Sequence, residues 1–317
     1  MIAFGPVPSR RLGRSLGVNN IPAKHCTYSC TYCQVGRTHG TEIERRAFHA
    51  RDAVVAAVAR KLGECRARGE PVDYITLVPD GEPTLEIDLG GMMRELRHLH
   101  VPLAVITNGS LLGRQDVRAD LAEASLVSVK IDTAEERTWR RLNRPHASLH
   151  LAEILEGLRD FATSYRGVLL TETMLVAGVN DADADIDATV TFLAELSPAR
   201  AYLAIPTRPP ADRAVRPPTR TVLTRAVQRL ARVLPRLALL TEDEAGPFAQ
   251  TGDPIDDLLA ILAIHPMREE AARAYLAAST IGAEGLDALL AAGSVMRCRY
   301  RDRTFVRRAR PTPHGPE

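Results

Sequence analysis

Residues 73–85 read DYITLVPDGEPTL, an apolar run that leads into a loop shaped by glycine and proline. The run Asp73–Val78 is typical of a buried β-strand, because it is short, nearly continuous in apolar residues and followed by turn formers. Helical periodicity follows at Ile87–Leu99. A strand, a loop and a helix make one βα unit, and such units predict a parallel sheet covered by helices.

The same unit recurs through the first two thirds of the chain. Further strands are predicted at Ser15–Val18, Leu103–Thr107, Leu126–Ile131, Gly167–Val176 and Arg200–Ile205. Helices are predicted at Arg51–Arg68, Arg114–Ala124, Glu135–Leu142, Leu149–Tyr165, Asp183–Leu196 and Arg220–Leu234. The pattern predicts an α/β fold, a partial (β/α)6 barrel of the TIM type, with an open doubly wound sheet as the alternative. In either fold the functional groups lie at the carboxyl ends of the strands.

The last quarter of the chain has a different pattern. Glu242–Asp253 is polar and contains glycine and proline, so it is interpreted as a linker. Three helical stretches follow, and then an alternating stretch typical of a β-hairpin: Ile255–Ile264, Arg268–Ala278, Ala283–Ala292 and Val295–Val306. This order predicts a small winged-helix-like unit. We therefore expect a core of residues 1–240, a C-terminal domain of residues 254–310 and a tail of residues 311–317.

Composition limits the class of protein. The chain has 317 residues and a formal net charge of +2, so any electrostatic binding surface must be local. We find no apolar run of about 18 residues and no secretory leader, and we expect a cytoplasmic protein without membrane contact. Of the five cysteines, three are clustered. An odd count with one tight cluster favours a metal site in a reducing compartment over a disulfide framework.

The cysteine cluster lies in residues 24–36, KHCTYSCTYCQVG. Cys26, Cys30 and Cys33 have C-x3-C-x2-C spacing, and thiolates select zinc or iron–sulfur clusters. Ordinary electron-transfer cubanes take four cysteines, so three local ligands would leave one iron open to a small molecule. The alternative is a zinc site completed by His25 or His39.

This spacing, with the aromatic Tyr32 directly before Cys33, resembles the signature of the radical S-adenosylmethionine (radical SAM) superfamily. The resemblance implies one [4Fe–4S] cluster whose open iron chelates S-adenosylmethionine. It also implies an enzyme, an iron–sulfur oxidoreductase, in which one electron cleaves the sulfonium and releases a 5′-deoxyadenosyl radical. Such an enzyme needs a one-electron donor such as flavodoxin or ferredoxin. By the resemblance, Tyr32 belongs to the cofactor site.

Further motifs follow the predicted strands in the order of that family. The loop at Gly81 and Glu82 is similar to the family's GGEP element, which implies binding of the cofactor's amino group; a plain turn is the alternative. Asn108, in Thr-Asn-Gly-Ser, resembles a loop that lies near the cofactor. Asn180, in Gly-Val-Asn-Asp, is expected to contact the ribose, and Ile205 is expected to pack against the adenine.

Lys130 and Asp132 share one face of their predicted strand, because side chains alternate along a strand. An inward lysine is unfavourable unless it is paired or functional. We expect the two side chains to contact the cofactor's carboxylate or ribose, with a mutual salt bridge as the alternative. Lys130 and His146 are the candidate catalytic residues, and His146 would act as a proton relay unless it is a solvated loop side chain.

Two arginine-rich regions suggest anionic ligands. Residues 4–17, with Arg10, Arg11 and Arg14, resemble a subgroup of iron–sulfur oxidoreductases related to the tRNA wyosine synthases; these arginines bind an anionic substrate or form a solvated turn. The C-terminal unit carries seven more arginines, expected on one face of its hairpin: Arg297, Arg299, Arg301, Arg303, Arg307, Arg308 and Arg310. They suggest contact with nucleic acid. The competing function for the whole chain is a non-catalytic zinc-binding, nucleic-acid-binding protein.

Overall fold

An eight-stranded sheet that curls into a half-barrel forms the main body of the protein. The structure is a computed structural model and describes residues 1–241, 248, 250 and 253–309. The strands lie side by side in chain order, and β2 to β8 run parallel while β1 is antiparallel to β2. They are β1 (Ala3–Ser9), β2 (Gly13–Val18), β3 (Tyr74–Leu77), β4 (Leu103–Thr107), β5 (Leu126–Lys130), β6 (Val168–Met174), β7 (Arg200–Ala204) and β8 (Leu237–Leu240).

Helices connect the parallel strands and cover the convex face of the sheet. They are α1 (Arg51–Ala67), α2 (Leu89–Leu96), α3 (Gln115–Leu121), α4 (Glu136–Asn143), α5 (Leu151–Ser164), α6 (Asp183–Leu196) and α7 (Arg220–Val233). Short 3₁₀ helices occupy Pro83–Leu85 and Arg97–Leu99. The apolar faces of these helices form the main core with one face of the strands. Within the described part of the chain, every helix is too short or too polar to cross a membrane.

The predicted α/β half-barrel is confirmed, and all six predicted strands are present as β2 to β7. The sequential strand order lacks the reversal that defines a doubly wound sheet, so the alternative fold is excluded. Two strands were not predicted. β1 contains two prolines and β8 has only four residues. Both are edge strands, where proline and short length are tolerated, and neither gives a clear apolar period.

The concave side of the sheet is closed at one end and polar at the other. Leu12, in the turn between β1 and β2, forms an apolar cluster with Leu126, Leu170 and Tyr202, which lie in the first half or at the centre of β5, β6 and β7. This cluster fills the lower part of the half-barrel. The open space therefore lies at the carboxyl ends of the strands, where polar side chains face inward.

The C-terminal unit contains three helices and a three-stranded sheet in the order β10-β11-β9. Its elements are α8 (Pro254–Ile264), β9 (Met267–Arg268), α9 (Glu269–Ala277), α10 (Gly285–Ala291), β10 (Val295–Tyr300) and β11 (Arg303–Arg308). The predicted helices and hairpin are present, with β9 in addition. Most of the predicted linker Glu242–Asp253, Arg310 and the tail of residues 311–317 lie outside the described residues, and the division into domains remains a prediction.

This unit is docked on the half-barrel. The Lys61 ammonium of α1 and the Asp257 carboxylate of α8 form an ion pair of 2.5 Å, with both side chains less than one-tenth exposed. The Tyr300 hydroxyl donates to the backbone carbonyl of Pro206, which follows β7, at 3.2 Å. Val7 of β1 packs into the apolar core of the C-terminal unit. The unit therefore forms a wall beside the open end of the half-barrel.

Candidate active site

The cysteine loop, residues 19–50 between β2 and α1, contains all three clustered cysteines. Cys26 and Cys30 pack against the main core, and Cys33 lines the cavity inside the half-barrel. The backbone N–H of Cys33 donates to the carbonyl of Cys30 at 3.1 Å, which closes a tight turn between these two cysteines. Because this loop follows β2, the cysteines lie at the carboxyl ends of the parallel strands.

A segment 110 residues further along the chain clamps this loop from one side. Residues 142–146, which end α4 and follow it, form a ladder of backbone hydrogen bonds with residues 27–31. Thr31 N–H donates to the Leu142 carbonyl at 2.9 Å, and His146 N–H donates to the Thr27 carbonyl at 2.9 Å. The Asn-Arg-Pro-His sequence therefore holds the middle of the cysteine loop.

The loop after β3 holds the start of the cysteine loop. Glu82 N–H donates to the carbonyl of His25 at 2.9 Å, and Lys24 N–H donates to the carbonyl of Asp80 at 2.6 Å. A Cβ atom at Gly81 would stand 2.1 Å from the His25 carbonyl oxygen. Only glycine allows the two backbones to approach this closely.

Glu82 is 1% exposed and accepts hydrogen bonds at both carboxylate oxygens. Its Oε1 accepts from the hydroxyls of Thr84 (2.7 Å) and Thr107 (2.6 Å), and its Oε2 accepts from the backbone N–H of Asn108 (2.8 Å). Burial raises the pKa of Glu82, while these hydrogen bonds act to lower it. The carboxylate is held rigidly between the loops after β3 and β4, without a cationic side chain among these partners.

Two asparagines direct amide N–H groups at cysteine sulfurs. Asn108 Nδ2 lies 3.6 Å from Cys26 Sγ and donates to the Thr27 hydroxyl at 2.8 Å. Asn143 Nδ2 lies 3.5 Å from Cys30 Sγ. Asn143 was not among the predicted site residues, because no local pattern links the end of a helix to a cysteine far away in sequence.

A group of charged residues lies at the base of the cavity. Lys130 Nζ donates to Glu172 Oε1 at 2.8 Å and lies 4.8 Å from the centre of the Tyr32 ring. Arg11 forms an ion pair with the other oxygen of Glu172. Burial alone would raise the pKa of Glu172, but Arg11 and Lys130 hold it at about 2. Lys130 therefore pairs with Glu172, its partner across β5 and β6, and not with Asp132 as the alternative had it.

Asp132 and Asn180 connect the ends of β5 and β6. Asp132 accepts from the Tyr32 hydroxyl, from Asn143 Nδ2 (2.7 Å) and from the backbone N–H of Met174 (2.8 Å). Asn180 donates to the backbone carbonyls of Asp132 (2.7 Å) and Met174 (2.8 Å). These observed contacts of Asn180 are with the backbone, and its contact with a ribose remains a prediction.

A cavity of about 340 Å³ occupies the open end of the half-barrel. Cys33, Tyr32, Lys130, Glu172 and Ile205 line it. Of the predicted site residues, Tyr32, Cys33, Lys130 and Ile205 thus face one space, whereas the other predicted cofactor-binding residues are not among its lining: Gly81, Glu82, Asn108, Asp132 and Asn180. His146 is not among its lining residues and accepts from the backbone N–H of Ser148 at 3.2 Å.

A second cavity of about 620 Å³ lies between the half-barrel and the C-terminal unit. Thr207, Arg208 and His265 line both cavities, so the two spaces adjoin. Gln34, the residue after Cys33, donates to the carbonyl of Ile264 at 3.1 Å and accepts from Arg208 at 3.3 Å. The cysteine loop is thereby linked directly to the C-terminal unit.

The three cysteines suit an iron–sulfur cluster. Burial first, then nearby negative groups, raise the pKa of the Cys30 thiol to about 12, and burial also raises the pKa of Cys26. Thiolates at these positions need a bound cation to be stable, and a metal cluster supplies it. Among the described residues, no three His, Cys, Asp or Glu side chains converge on one ion. A cubane does not require this, because each cysteine binds a different iron.

The histidines of the zinc alternative are oriented elsewhere. His25 Nδ1 contacts the Glu42 carboxylate and lies 3.2 Å from Arg46 Nη2, and His39 is exposed. Neither contact directs a ring nitrogen toward the cysteine sulfurs. The groups that the cysteine loop offers are therefore three thiols, two of which have an amide N–H beside them.

The hairpin arginines do not share one face, which corrects that prediction. In the β10–β11 register Arg297 lies opposite Val306 and Arg299 lies opposite Thr304. Residues opposite each other in the register project from the same face of the hairpin. The face of Arg297 and Arg299 therefore holds the even-numbered residues of β11, and Arg303 and Arg307 project from the other face. Arg297 is also paired with Glu269 at 2.8 Å.

This chain is similar to known proteins in both sequence and fold. A sequence model of the radical SAM superfamily matches residues 20–193. A UPF0026 protein from Methanocaldococcus jannaschii is 41% identical over 306 residues, covering 96% of this chain and 95% of that protein.

Two solved structures share the fold. A structure of TYW1 with a lysine–pyruvate adduct bound has a TM-score of 0.53 at 16% identity and covers 69% of this chain and 73% of its own. A radical SAM methyltransferase from Sphaerobacter thermophilus has a TM-score of 0.54 at 19% identity, covering 72% of this chain and 66% of its own. At these identities the similarity concerns the fold alone.

Proposed function

This chain belongs to the radical SAM superfamily, whose enzymes use a [4Fe–4S] cluster and S-adenosylmethionine, and we propose that Cys26, Cys30 and Cys33 hold that cluster with one iron open to the cofactor. When bound, the cluster supplies the one electron that cleaves the cofactor's sulfonium. The observation that carries the proposal is the grouping of three half-buried thiols in one loop, with Cys33 lining the cavity and amide N–H groups directed at the sulfurs of Cys26 and Cys30.

The chain's own residues bind and orient the cofactor. Glu82 accepts the cofactor's ammonium, since its Oε2 carries only one hydrogen bond from Asn108 and has a lone pair to spare. Gly81 supports this by bringing the loop against the cysteine loop. Lys130 and Asp132 face the carboxylate and ribose. Their partners Glu172 and Tyr32 keep both side chains in fixed positions before the cofactor enters.

Further contacts come from the edges of the cavity. Ile205 lines it directly after β7, where an apolar side chain suits the adenine ring. Asn180 shapes the ends of β5 and β6 and is proposed to approach the ribose from there. His146 remains a candidate proton relay, although its observed contacts are with the backbone of the cysteine loop and of Ser148.

The substrate is proposed to enter through the larger cavity beside the C-terminal unit. Pockets for small molecules measure about 300 to 1,000 Å³, so the inner cavity of 340 Å³ suits one cofactor and the adjoining space of 620 Å³ suits a second ligand. The closed lower end of the half-barrel leaves this side for entry. Oxidoreduction requires a one-electron donor such as flavodoxin or ferredoxin.

Contact with nucleic acid through the C-terminal arginines is a separate part of the proposal. Arg299 and Arg308 are exposed on one face of the hairpin. Binding of a short RNA that weakens steeply with salt would support the contact, because phosphate neutralisation releases counterions. Binding that is absent at low salt would exclude it.

Cofactor cleavage tests the proposed function. The full chain, reconstituted with iron and sulfide without oxygen and then reduced with dithionite, is expected to form 5′-deoxyadenosine from S-adenosylmethionine. Cys30→Ser should abolish this product, whereas Cys65→Ser, which changes a buried cysteine of α1, should retain it. A wild-type protein that carries its full complement of iron and forms no product, or one that holds a single zinc ion, would contradict the proposal.

A further inference from the structure

Two asparagines from different parts of the chain point N–H groups at two different cysteine sulfurs. Asn108 follows β4 and contacts Cys26 Sγ at 3.6 Å, and Asn143 ends α4 and contacts Cys30 Sγ at 3.5 Å. Distances of this size are ordinary for N–H···S hydrogen bonds, since sulfur is larger than oxygen. The same chemical group thus meets two of the three cysteines.

The side chain of Asn143 is held firmly for this role. It is 3% exposed, and its Nδ2 also donates to Asp132 Oδ2 at 2.7 Å and lies 3.3 Å from the Tyr32 hydroxyl. Its Oδ1 is buried and has no hydrogen-bond partner among the described residues. Leaving a buried amide oxygen unpaired costs free energy. The orientation of Asn143 therefore does not satisfy the hydrogen bonds of the whole amide. Its position instead serves the sulfur and the neighbouring carboxylate.

Asn108 is fixed in a comparable way. Its Oδ1 accepts from the backbone N–H of Ser110 at 2.9 Å, and its own backbone N–H donates to Glu82. These two bonds orient the amide so that Nδ2 faces the start of the cysteine loop. The donor is therefore set by the loop after β4 before any cluster binds.

We propose that Asn108 and Asn143 are positioning residues that raise the reduction potential of the cluster, an inference that rests on the proposed function. A hydrogen bond to a thiolate sulfur stabilises negative charge on the cluster, and the reduced cluster carries one more electron than the oxidised one. The donors therefore stabilise the reduced state more than the oxidised state. Removing either donor shifts the midpoint potential to more negative values.

Substitution at each position tests the proposal. Asn143→Leu and Asn108→Leu remove the donors without adding charge, and Asn143→Ala and Asn108→Ala remove them with less bulk in case the leucine variants fold poorly. The matched control is Asn20→Leu, since Asn20 is fully buried but donates to the backbone carbonyl of Pro83. The readouts are the midpoint potential, followed by electron paramagnetic resonance during a redox titration, the iron content and the melting temperature.

The expected result is a more negative potential in every variant of Asn108 and Asn143, a larger shift in the double variant, and no shift in Asn20→Leu. A purely structural role would lower the melting temperature or iron content and leave the potential unchanged, and that result would overturn the inference. If the wild type binds no cubane at all, the proposed function fails. If it binds a cubane and the potentials coincide, only the present inference fails.

Discussion

At the scale of single residues, the chemistry of the site depends on charges buried in pairs. Lys130 faces inward from β5, where a lysine is unfavourable unless it is paired or functional, and it is paired with Glu172 and not with Asp132 as the alternative had it. Its partner could not be predicted, because Glu172 lies 42 residues away and becomes its neighbour only through the register of β5 and β6. Arg11 completes the group from the turn between β1 and β2. The amino-terminal arginines therefore do not act alike, since Arg11 binds inside the half-barrel while Arg14 pairs with Glu70 outside it.

Glu172→Gln tests this charge group. The pKa of Glu172 is held at about 2, below its ordinary value, so the folded state favours the ionised form. The contribution of the ionised Glu172 to the free energy of unfolding is fully present above pH about 4.5 and is lost as the pH falls toward 2. Urea unfolding should show Glu172→Gln less stable than wild type by about 3 kcal/mol at pH 7, since Arg11 and Lys130 lose their partner. The difference should shrink with falling pH; a difference that stays constant down to pH 2.5 would contradict the pairing.

At the scale of elements, the cysteine loop is held by two segments remote in sequence. The loop after β3 fixes its start and the segment after α4 fixes its middle. Sequence patterns predicted the six parallel strands, because each has an apolar run bounded by turn residues. They could not predict that residues 142–146 hold the cysteine loop, since backbone hydrogen bonds between irregular segments produce no periodic pattern in the sequence. For the same reason they missed Asn143, whereas Gly81 was predicted from the resemblance of its loop to the GGEP element.

Gly81→Ala tests the contact between the two loops. The added Cβ would meet the His25 carbonyl oxygen at 2.1 Å, so one backbone must move. We expect a loss of about 1 to 3 kcal/mol in unfolding free energy and a lower iron content after reconstitution. Gly63→Ala is the control: it lies in α1 with nothing within 4 Å of the new Cβ, and it should raise stability by about 0.5 to 1 kcal/mol. Equal iron content in both variants would argue against the role of Gly81.

At the scale of the whole molecule, the C-terminal unit is part of the cavity wall. Its sequence predicted three helices and a hairpin, and the structure adds a short strand and the docking against β1 and the loop after β7. The docking could not be predicted, because nothing in the local sequence distinguishes Lys61 from an ordinary helix lysine. Its partner Asp257 lies beside it only in the folded chain. Gln34 extends the contact to the cysteine loop. The cysteine loop, the inner cavity and the C-terminal unit thus meet in one place.

The Lys61–Asp257 pair tests the docking. Asp257→Asn leaves the Lys61 ammonium with only the half-buried Glu64, at 3.2 Å, and should cost about 3 kcal/mol of unfolding free energy, since the buried carboxylate is lost. Replacing both residues by apolar ones, Lys61→Met with Asp257→Leu, should recover most of this loss, because the desolvation of two charges is then avoided. Chemical unfolding at pH 7 measures both. A double variant no more stable than Asp257→Asn would show that the pair is not the main contact at this position.

The most direct test of the account is the electron paramagnetic resonance spectrum of the reduced, reconstituted protein before and after S-adenosylmethionine is added. Three cysteines that leave one iron open predict the spectrum of a [4Fe–4S]⁺ cluster whose g values change when the cofactor binds that iron. A cluster spectrum indifferent to the cofactor, or no cubane signal from iron-loaded protein, would contradict the assignment of Cys26, Cys30 and Cys33.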